Sequence, residues 1–170
     1  MTSQTWVGYS EHRGSMDDLI MVAARRVIDA YNARDPVALR ALYAPTASTR
    51  RPGWPAEGGV DEIVASAEMD MVAFPDLHIA SLLSASEGGQ ALTEVRITGT
   101  NTGEIALGDF GRAAAETTAG TFAATGRPMD ITGVLVHEAN EEGLIVAERQ
   151  YWGMLEVLVQ LGLFSTVPES

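Results

Sequence analysis

The chain has 170 residues, the length of one ordinary domain, and its 46% hydrophobic and 20% charged residues exclude a disordered or collagen-like protein. The 11 basic and 23 acidic side chains give a net charge of −12 with neutral histidines. Such a charge repels phosphate backbones and anionic lipid headgroups, so neither nucleic acid nor a membrane surface is an expected partner.

The sequence contains no cysteine, which excludes disulfides, thiol nucleophiles and zinc–thiolate sites. Residues Met1–Gly14 are polar and lack the apolar core of a signal peptide. The most apolar stretch, Met154–Phe164, contains Glu156 and Gln160 and is too short to span a bilayer. We therefore expect a soluble, cytoplasmic protein with a flexible N-terminal arm over residues 1–14.

The first half of the chain predicts three helices. Ser15 can cap the first helix, whose apolar residues recur at helical spacing: Ile20, Ala24, Val27 and Tyr31. Asp35-Pro36 starts a short second helix, because proline is favoured at the first helical position. The Pro- and Gly-rich stretch Tyr43–Gly59 predicts a loop. A third helix follows Gly59 and ends at Phe74-Pro75-Asp76.

The second half predicts four strands, which are Leu77–Leu83, Ala91–Thr100, Met129–Glu138 and Leu144–Trp152. Ser84–Gly89 is expected to form the first turn, and Asn140-Glu141-Glu142-Gly143 a hairpin turn. Gly108–Arg127, rich in Ala, Thr and Gly, predicts either a long loop or a bent strand pair. Gly153–Leu163 predicts a short closing helix.

Helices followed by antiparallel strands describe an α+β fold, here one domain over residues 15–164 with a C-terminal tail over residues 165–170. A sheet packed on helices curls around them and leaves a concave mouth. Such a mouth is the usual place for a small-molecule site.

Short motifs in this order add a family resemblance: Phe74-Pro75-Asp76-Leu77, Gly99-Thr100-Asn101-Thr102-Gly103-Glu104, Gly126-Arg127-Pro128, Gly143-Leu144-Ile145-Val146 and Gln160-Leu161-Gly162. Their order and spacing resemble the SnoaL-like polyketide cyclases. These cyclases belong to the superfamily shaped like nuclear transport factor two, with the ketosteroid isomerases and the limonene-epoxide hydrolases. The resemblance covers roughly Ser15 to Leu163.

The resemblance implies a cone-shaped, curved antiparallel sheet wrapped around the N-terminal helices, in a protein that is usually a homodimer. It implies an apolar pocket for a small apolar or aromatic substrate, without metal or cofactor. Cyclases of this group close a ring by an intramolecular aldol step, in which a side chain moves a proton beside a carbonyl. That chemistry requires a carboxylate or an imidazole in a dry cavity.

The chain departs from the family at the position that matters most. The catalytic aspartate of these cyclases falls on Gln150, whose amide cannot exchange a proton near neutral pH. Glu148, two residues earlier, shares the strand face of Gln150. Burial would raise the pKa of Glu148, so that it could serve as a general acid or base. Asn101 stands where the family commonly has histidine and is a further candidate for substrate binding, and Leu135 stands where aspartate or histidine is common.

Each candidate has a plainer interpretation. Glu148 could instead be a solvated strand carboxylate or an ion-pair partner of Arg149 or Arg96. Gln150 could orient a substrate carbonyl or phenol, or could be a structural amide. His137 is a possible base or a surface or packing histidine. The remaining candidates could bind substrate, or could be core aromatics and exposed arginines: Tyr43, Trp54, Trp152, Arg50 and Arg51.

Other site types lack support in the sequence. The glycines do not form a nucleotide-binding pattern, the three histidines are far apart, and no nucleophile elbow is present. The sequence therefore predicts a cofactor-free cyclase that acts by aldol-type or epoxide-opening ring closure. The alternative is a ligand-binding or accessory hydroxylation protein that kept the fold and lost the catalytic aspartate.

Overall fold

The computed structural model describes residues 12–54, 58–106 and 121–164. The expectations for most of the N-terminal arm, for residues 108–120 of the segment Gly108–Arg127 and for the C-terminal tail lie outside these ranges. Four helices are described, which are α1 (His12–Ala33), α2 (Pro36–Arg40), α3 (Val60–Ala73) and α4 (Met154–Leu161). None of them is both long enough and apolar enough to cross a membrane.

The helix boundaries follow local sequence signals closely. Asp35 caps α2, since its side chain accepts a hydrogen bond from Ala38 N at 2.8 Å, and Pro36 occupies the first helical position as expected. Helix α1 begins at His12 instead of Ser15. The error arises because Gly14 costs a helix only about 1 kcal/mol, which does not stop it.

The stretch expected to be one long loop begins with a strand, so that prediction was wrong. Strand β1 (Tyr43–Arg50) pairs in parallel with β7 (Ile145–Trp152) at one edge of the main sheet. Pro45 misled the prediction, but an edge strand tolerates proline because one side of the strand needs no ladder hydrogen bonds. The pairing is irregular between Tyr43 and Ser48, the part of β1 that contains Pro45.

The other strands are antiparallel and come from the second half of the chain, as predicted. They are β2 (His78–Glu87), β3 (Gln90–Thr100), β4 (Ile105–Ala106), β5 (Thr121–Phe122) and β6 (Pro128–Ala139). The main sheet has the order β1-β7-β6-β3-β2, and β4 pairs with β5 as a separate ribbon. Strand β5 lies within the segment Gly108–Arg127, for which the sequence left two alternatives, and β4 precedes that segment.

The two hairpin turns differ in how well the sequence located them. Strand β2 continues through Ser84 to Glu87, so the expected turn over Ser84–Gly89 was too long. The turn consists of Gly88 and Gly89, whose φ angles of +61° and +79° suit a two-residue hairpin loop. The predicted turn from Asn140 to Gly143 joins β6 and β7 as expected.

The core lies between the inner face of the main sheet and helix α1. The predicted apolar stripe of α1 is buried, with Ile20 fully buried and Tyr31 7% exposed. On the sheet, the inward residues of β3 and β6 alternate with exposed ones, for example Val95 and Ile131. The structure therefore confirms an α+β fold with a curved, mostly antiparallel sheet packed against N-terminal helices.

Candidate active site

The inner face of β7 presents three side chains toward one cavity: Glu148, Gln150 and Trp152. They are spaced two residues apart, so the alternation of the strand places them on a common face. The structure thus brings Glu148 and Gln150 together as the sequence predicted. Glu148 is only 2% exposed, which rules out a solvated surface carboxylate.

The cavity is open space inside the domain, bounded by α1, α3 and the inner faces of the strands. About 80 Å³ is open to the centres of water molecules, several times the roughly 10–15 Å³ that one water needs. Most of its wall is apolar, contributed by Val27, Ile28, Phe74, Leu77, Ile79, Ile97, Ile105, Met129, Ile131, Leu135 and Val157. An apolar hollow with a few converging polar groups is typical of small-molecule sites.

Two hydrogen-bond donors and one nearby imidazole surround the Glu148 carboxylate. Tyr43 Oη donates to Oε2, and Gln150 Nε2 donates to Oε1 at 2.5 Å. His137 Nε2 lies 3.4 Å from Oε2, within ion-pair distance but outside hydrogen-bond geometry. Burial alone would raise the pKa of Glu148, but His137, Tyr43 and Gln150 together lower it to about 2. The expectation of a raised pKa was therefore wrong, and the group is a carboxylate at neutral pH.

The sheet register explains how these donors reach Glu148. His137 stands directly opposite Glu148 in the antiparallel pairing of β6 and β7. Tyr43 belongs to β1, on the other side of β7. His137 is fully buried, and within the described part of the chain neither of its ring nitrogens has a hydrogen-bond partner. His137 stands against the carboxylate and is not part of the cavity wall.

Gln150 is held at both ends of its amide. Its Nε2 donates to Glu148, and its Oε1 accepts from Trp152 Nε1 at 3.4 Å. The chain of hydrogen bonds from Trp152 through Gln150 to Glu148 fixes which amide end faces the carboxylate. One N–H of Gln150 and the face of Trp152 remain available to a molecule in the cavity.

A second polar group lines the same cavity and comes from three separate elements. Arg51 pairs with Asp70 through two contacts, Nη1 to Oδ2 and Nη2 to Oδ1, each 3.2 Å long. Tyr31 of α1 completes the group. Burial raises the pKa of the Tyr31 phenol, and Asp70 and Glu148 raise it further, so the phenol stays protonated. The site therefore combines a carboxylate with a cation and an O–H donor.

The sequence pointed to only part of this second group. Arg51 was a candidate beside Arg50, while Asp70 and Tyr31 were missed. Tyr31 carried only the signal of a helical stripe, which is typical of core residues. Nothing in the sequence around Asp70 indicated a functional site, because its contact with Arg51 depends on how α3 packs in the folded protein.

Three predicted binding residues lie elsewhere. Asn101 is fully buried, is not among the cavity-lining residues, and satisfies backbone groups of Ala73 and Gly103. Arg50 and Trp54 line a separate surface pocket. Of the predicted aromatic wall, only Trp152 contacts the cavity, since Tyr43 stands against Glu148.

No group of three or more His, Asp or Glu side chains in the described ranges is arranged to hold a metal ion. The polar groups of the cavity are two separate clusters, one around Glu148 and one around Arg51. Any reaction there that uses this chain's own residues has the carboxylates of Glu148 and Asp70, an amide, a phenol and a guanidinium to work with.

Comparisons with solved structures support the fold. A candidate SnoaL-like polyketide cyclase from Jannaschia sp. CCS1 superposes with a TM-score of 0.73 at 15% identity, over 94% of this chain and 99% of that chain. AclR from Streptomyces galilaeus, named as a candidate hydroxylase, gives 0.69 at 18% identity, over 90% and 87%. IdmH from Streptomyces antibioticus, named as a candidate polyketide cyclase, gives 0.64 at 20% identity, over 84% and 98%.

At these identities the likeness shows the fold alone. No curated protein matches the sequence. The model of the SnoaL-like domain family matches residues 24–148, which is most of the chain and runs from helix α1 to the buried glutamate of β7. With the fold and the family match in agreement, the chain belongs to the SnoaL-like domain family.

Proposed function

We propose that this protein closes a ring in a polyketide or related aromatic natural-product intermediate by cofactor-free acid–base catalysis. One observation carries the proposal. An ionised, buried carboxylate, Glu148, opens onto an apolar cavity that also contains Arg51 and the Tyr31 phenol. These are the parts that an intramolecular aldol step needs, namely a base and donors for the enolate oxygen.

In the proposed step, a substrate carbon beside a carbonyl transfers its proton to Glu148. Arg51 and Tyr31 stabilise the negative charge that develops on the carbonyl oxygen. The enolate carbon then attacks a second carbonyl of the same molecule and forms the new carbon–carbon bond. The resulting alkoxide takes the proton back from Glu148, so the carboxylate is regenerated and the product is an isomer of the substrate.

The hydrogen bonds to Glu148 determine its strength as a base. A carboxylate that two hydrogen-bond donors and a nearby imidazole stabilise is weakly basic. A substrate that takes over the Gln150 amide removes one of these donors, because that amide lines the cavity beside Glu148. The pKa of Glu148 then rises when substrate is bound, which is where basicity is needed.

Turnover of candidate poly-β-carbonyl intermediates, followed by mass spectrometry, tests the proposal. Glu148→Gln is expected to lower turnover by about 100-fold or more, in the range that general acid–base groups supply. Glu94→Gln on the outer face of β3 is the matched control, since it removes the same charge away from the cavity. If Glu148→Gln turned over as fast as the wild type, Glu148 would not be the base.

A second candidate function is ligand binding without chemistry, and the low pKa of Glu148 favours it. In this function the carboxylate held by Tyr43, Gln150 and His137 would accept a hydrogen bond from a ligand hydroxyl and would take no proton. This function predicts saturable binding of an aromatic ligand with no product formed. An accessory role in hydroxylation would in addition require a separate reductase partner for any turnover.

A further inference from the structure

We propose that a second pocket, on the surface at the carboxyl ends of β1 and β7, binds the carboxylate group of a planar aromatic molecule. We call it the arginine pocket. Its chemistry comes from three arginines and two aromatic side chains: Arg50, Arg51, Arg149, Trp54 and Tyr151. The proposal does not depend on the reaction proposed for the cavity, although Arg51 and Gln150 line both spaces.

The parallel pairing of β1 and β7 brings the arginines together. Arg50 and Arg149 are register partners, so their side chains are neighbours across the two strands. Like charges at such positions are destabilising unless something compensates them. All 11 basic residues of the chain are arginines, and three of them converge here although the net charge is −12. Arg149 is paired with Glu138, and a bound anion would compensate the charge of Arg50 beside it.

The ion pairs leave the arginine pocket with positive charge. Asp70 pairs with Arg51, and Glu138 pairs with Arg149 at 2.6 Å. Arg50 is exposed and forms no ion pair with any residue of the described ranges. Each guanidinium has five N–H donors, more than one carboxylate partner uses. Arg51 Nε is a direct case, since it is buried and lacks a hydrogen-bond partner within the same ranges.

The aromatic side chains decide which anion fits. The guanidinium of Arg51 lies 5.6 Å from the centre of the Trp54 ring, so a cation and an aromatic face already stack at this site. Tyr151 is 53% exposed, and its ring is available to a ligand. About 350 Å³ is open here, enough for a ring system that carries a carboxylate. Inorganic phosphate would engage the arginines but not the aromatic faces.

Binding of naphthoate, measured by titration calorimetry, tests the proposal. We expect saturable binding that weakens by about tenfold or more in Arg50→Gln, because a charge-assisted hydrogen bond is lost. Arg25→Gln on the exposed face of α1 makes the same change in net charge and is expected to bind as the wild type does. Naphthamide, which has the rings without the charge, and inorganic phosphate, which has the charge without the rings, are both expected to bind at least tenfold more weakly.

Three outcomes would overturn the proposal. One is equal affinity of Arg50→Gln and wild type for naphthoate, and another is equal affinity of the wild type for naphthoate and naphthamide. The third is loss of naphthoate binding in Ile97→Trp, because that substitution fills the cavity and leaves the arginine pocket unchanged. None of these results bears on turnover by Glu148, so failure of the arginine pocket and failure of the proposed function are distinguishable.

Discussion

Tyr43 and Glu148 are joined by a buried hydrogen bond from phenol to carboxylate although they are 105 positions apart in the chain. The contact exists because the edge strand that begins at Tyr43 runs parallel to the last strand. It places a donor against a group that burial alone would push toward its neutral form. Tyr43 is thus a positioning residue, which acts on any cavity ligand through Glu148.

Tyr43→Phe is expected to raise the pKa of Glu148 from about 2 toward its usual value of 4.5, because one of the two hydrogen bonds to its carboxylate is lost. An NMR titration of the glutamate side-chain carboxyl carbons measures the change directly. Tyr151→Phe, on the outer face of β7, is the matched control. An unchanged Glu148 titration in Tyr43→Phe would show that the phenol does not stabilise the charged form.

The lowered pKa of Glu148 also predicts how stability depends on pH. Its folded-state pKa of about 2 lies below the ordinary value of 4.5, so the unfolded chain binds the proton more tightly. The stabilisation is complete above about pH 4.5 and is lost as the pH falls through about 2. The difference corresponds to about 3 kcal/mol. Urea unfolding at a series of pH values should show a steeper loss of stability in acid for wild type than for Glu148→Gln. Parallel curves for the two proteins would contradict the prediction.

His137→Leu should destabilise the fold by about 3 kcal/mol at neutral pH, because it removes one partner of a buried carboxylate. Without His137 the pKa of Glu148 is expected to be higher in the variant than in the wild type. The destabilisation should shrink once the pH falls below that higher pKa, since a neutral carboxyl group needs no such partner. Chemical unfolding at neutral and acidic pH separates this from a simple packing defect, whose cost would not change with pH. His78→Leu replaces an exposed histidine and serves as the control.

Local signals in the sequence predicted much of the fold and one side of the site. Helical spacing located α1, turn residues located the last hairpin, and strand alternation placed Glu148 and Gln150 on one face. The missed features all depend on contacts between residues that are far apart in the sequence. Strand β1 is formed by pairing with a strand about a hundred residues later, against the local preference of Pro45. The pair between Arg51 and Asp70 likewise has no local signature.

Asn101 is the opposite case, a motif position that was predicted to bind substrate and that makes structural hydrogen bonds in the fold. Its amide donates to Ala73 O at 3.2 Å and to Gly103 O at 2.8 Å, and its oxygen accepts from Thr125 N at 2.8 Å. A buried asparagine whose side chain is hydrogen-bonded to three backbone segments has a structural role. This structural role explains the motif around Asn101, and the sequence alone does not distinguish it from a role in binding.

Asn101→Ala is accordingly expected to destabilise the protein by about 2–4 kcal/mol, since several buried backbone groups lose their partners at once. Ligand affinity should stay within about twofold of wild type at a temperature where the variant is folded. Thermal unfolding and titration calorimetry measure the two effects separately. If the variant had normal stability but no longer bound ligand, Asn101 would be a binding residue.

Ile97→Trp tests whether the cavity is the place where ligand binds. Ile97 is half-buried and lines the open space from β3, on the far side of β6 from Glu148, so an indole there should fill the cavity without touching the carboxylate. We expect cavity-ligand affinity and turnover to fall by about tenfold or more, while the Glu148 titration stays at its wild-type position. Leu92→Trp adds the same side chain to the outer face of the same strand, where Leu92 is 45% exposed, and should leave both properties unchanged. Because the two variants differ only in the face of β3 that carries the indole, equal turnover in both would mean that ligand does not enter the cavity.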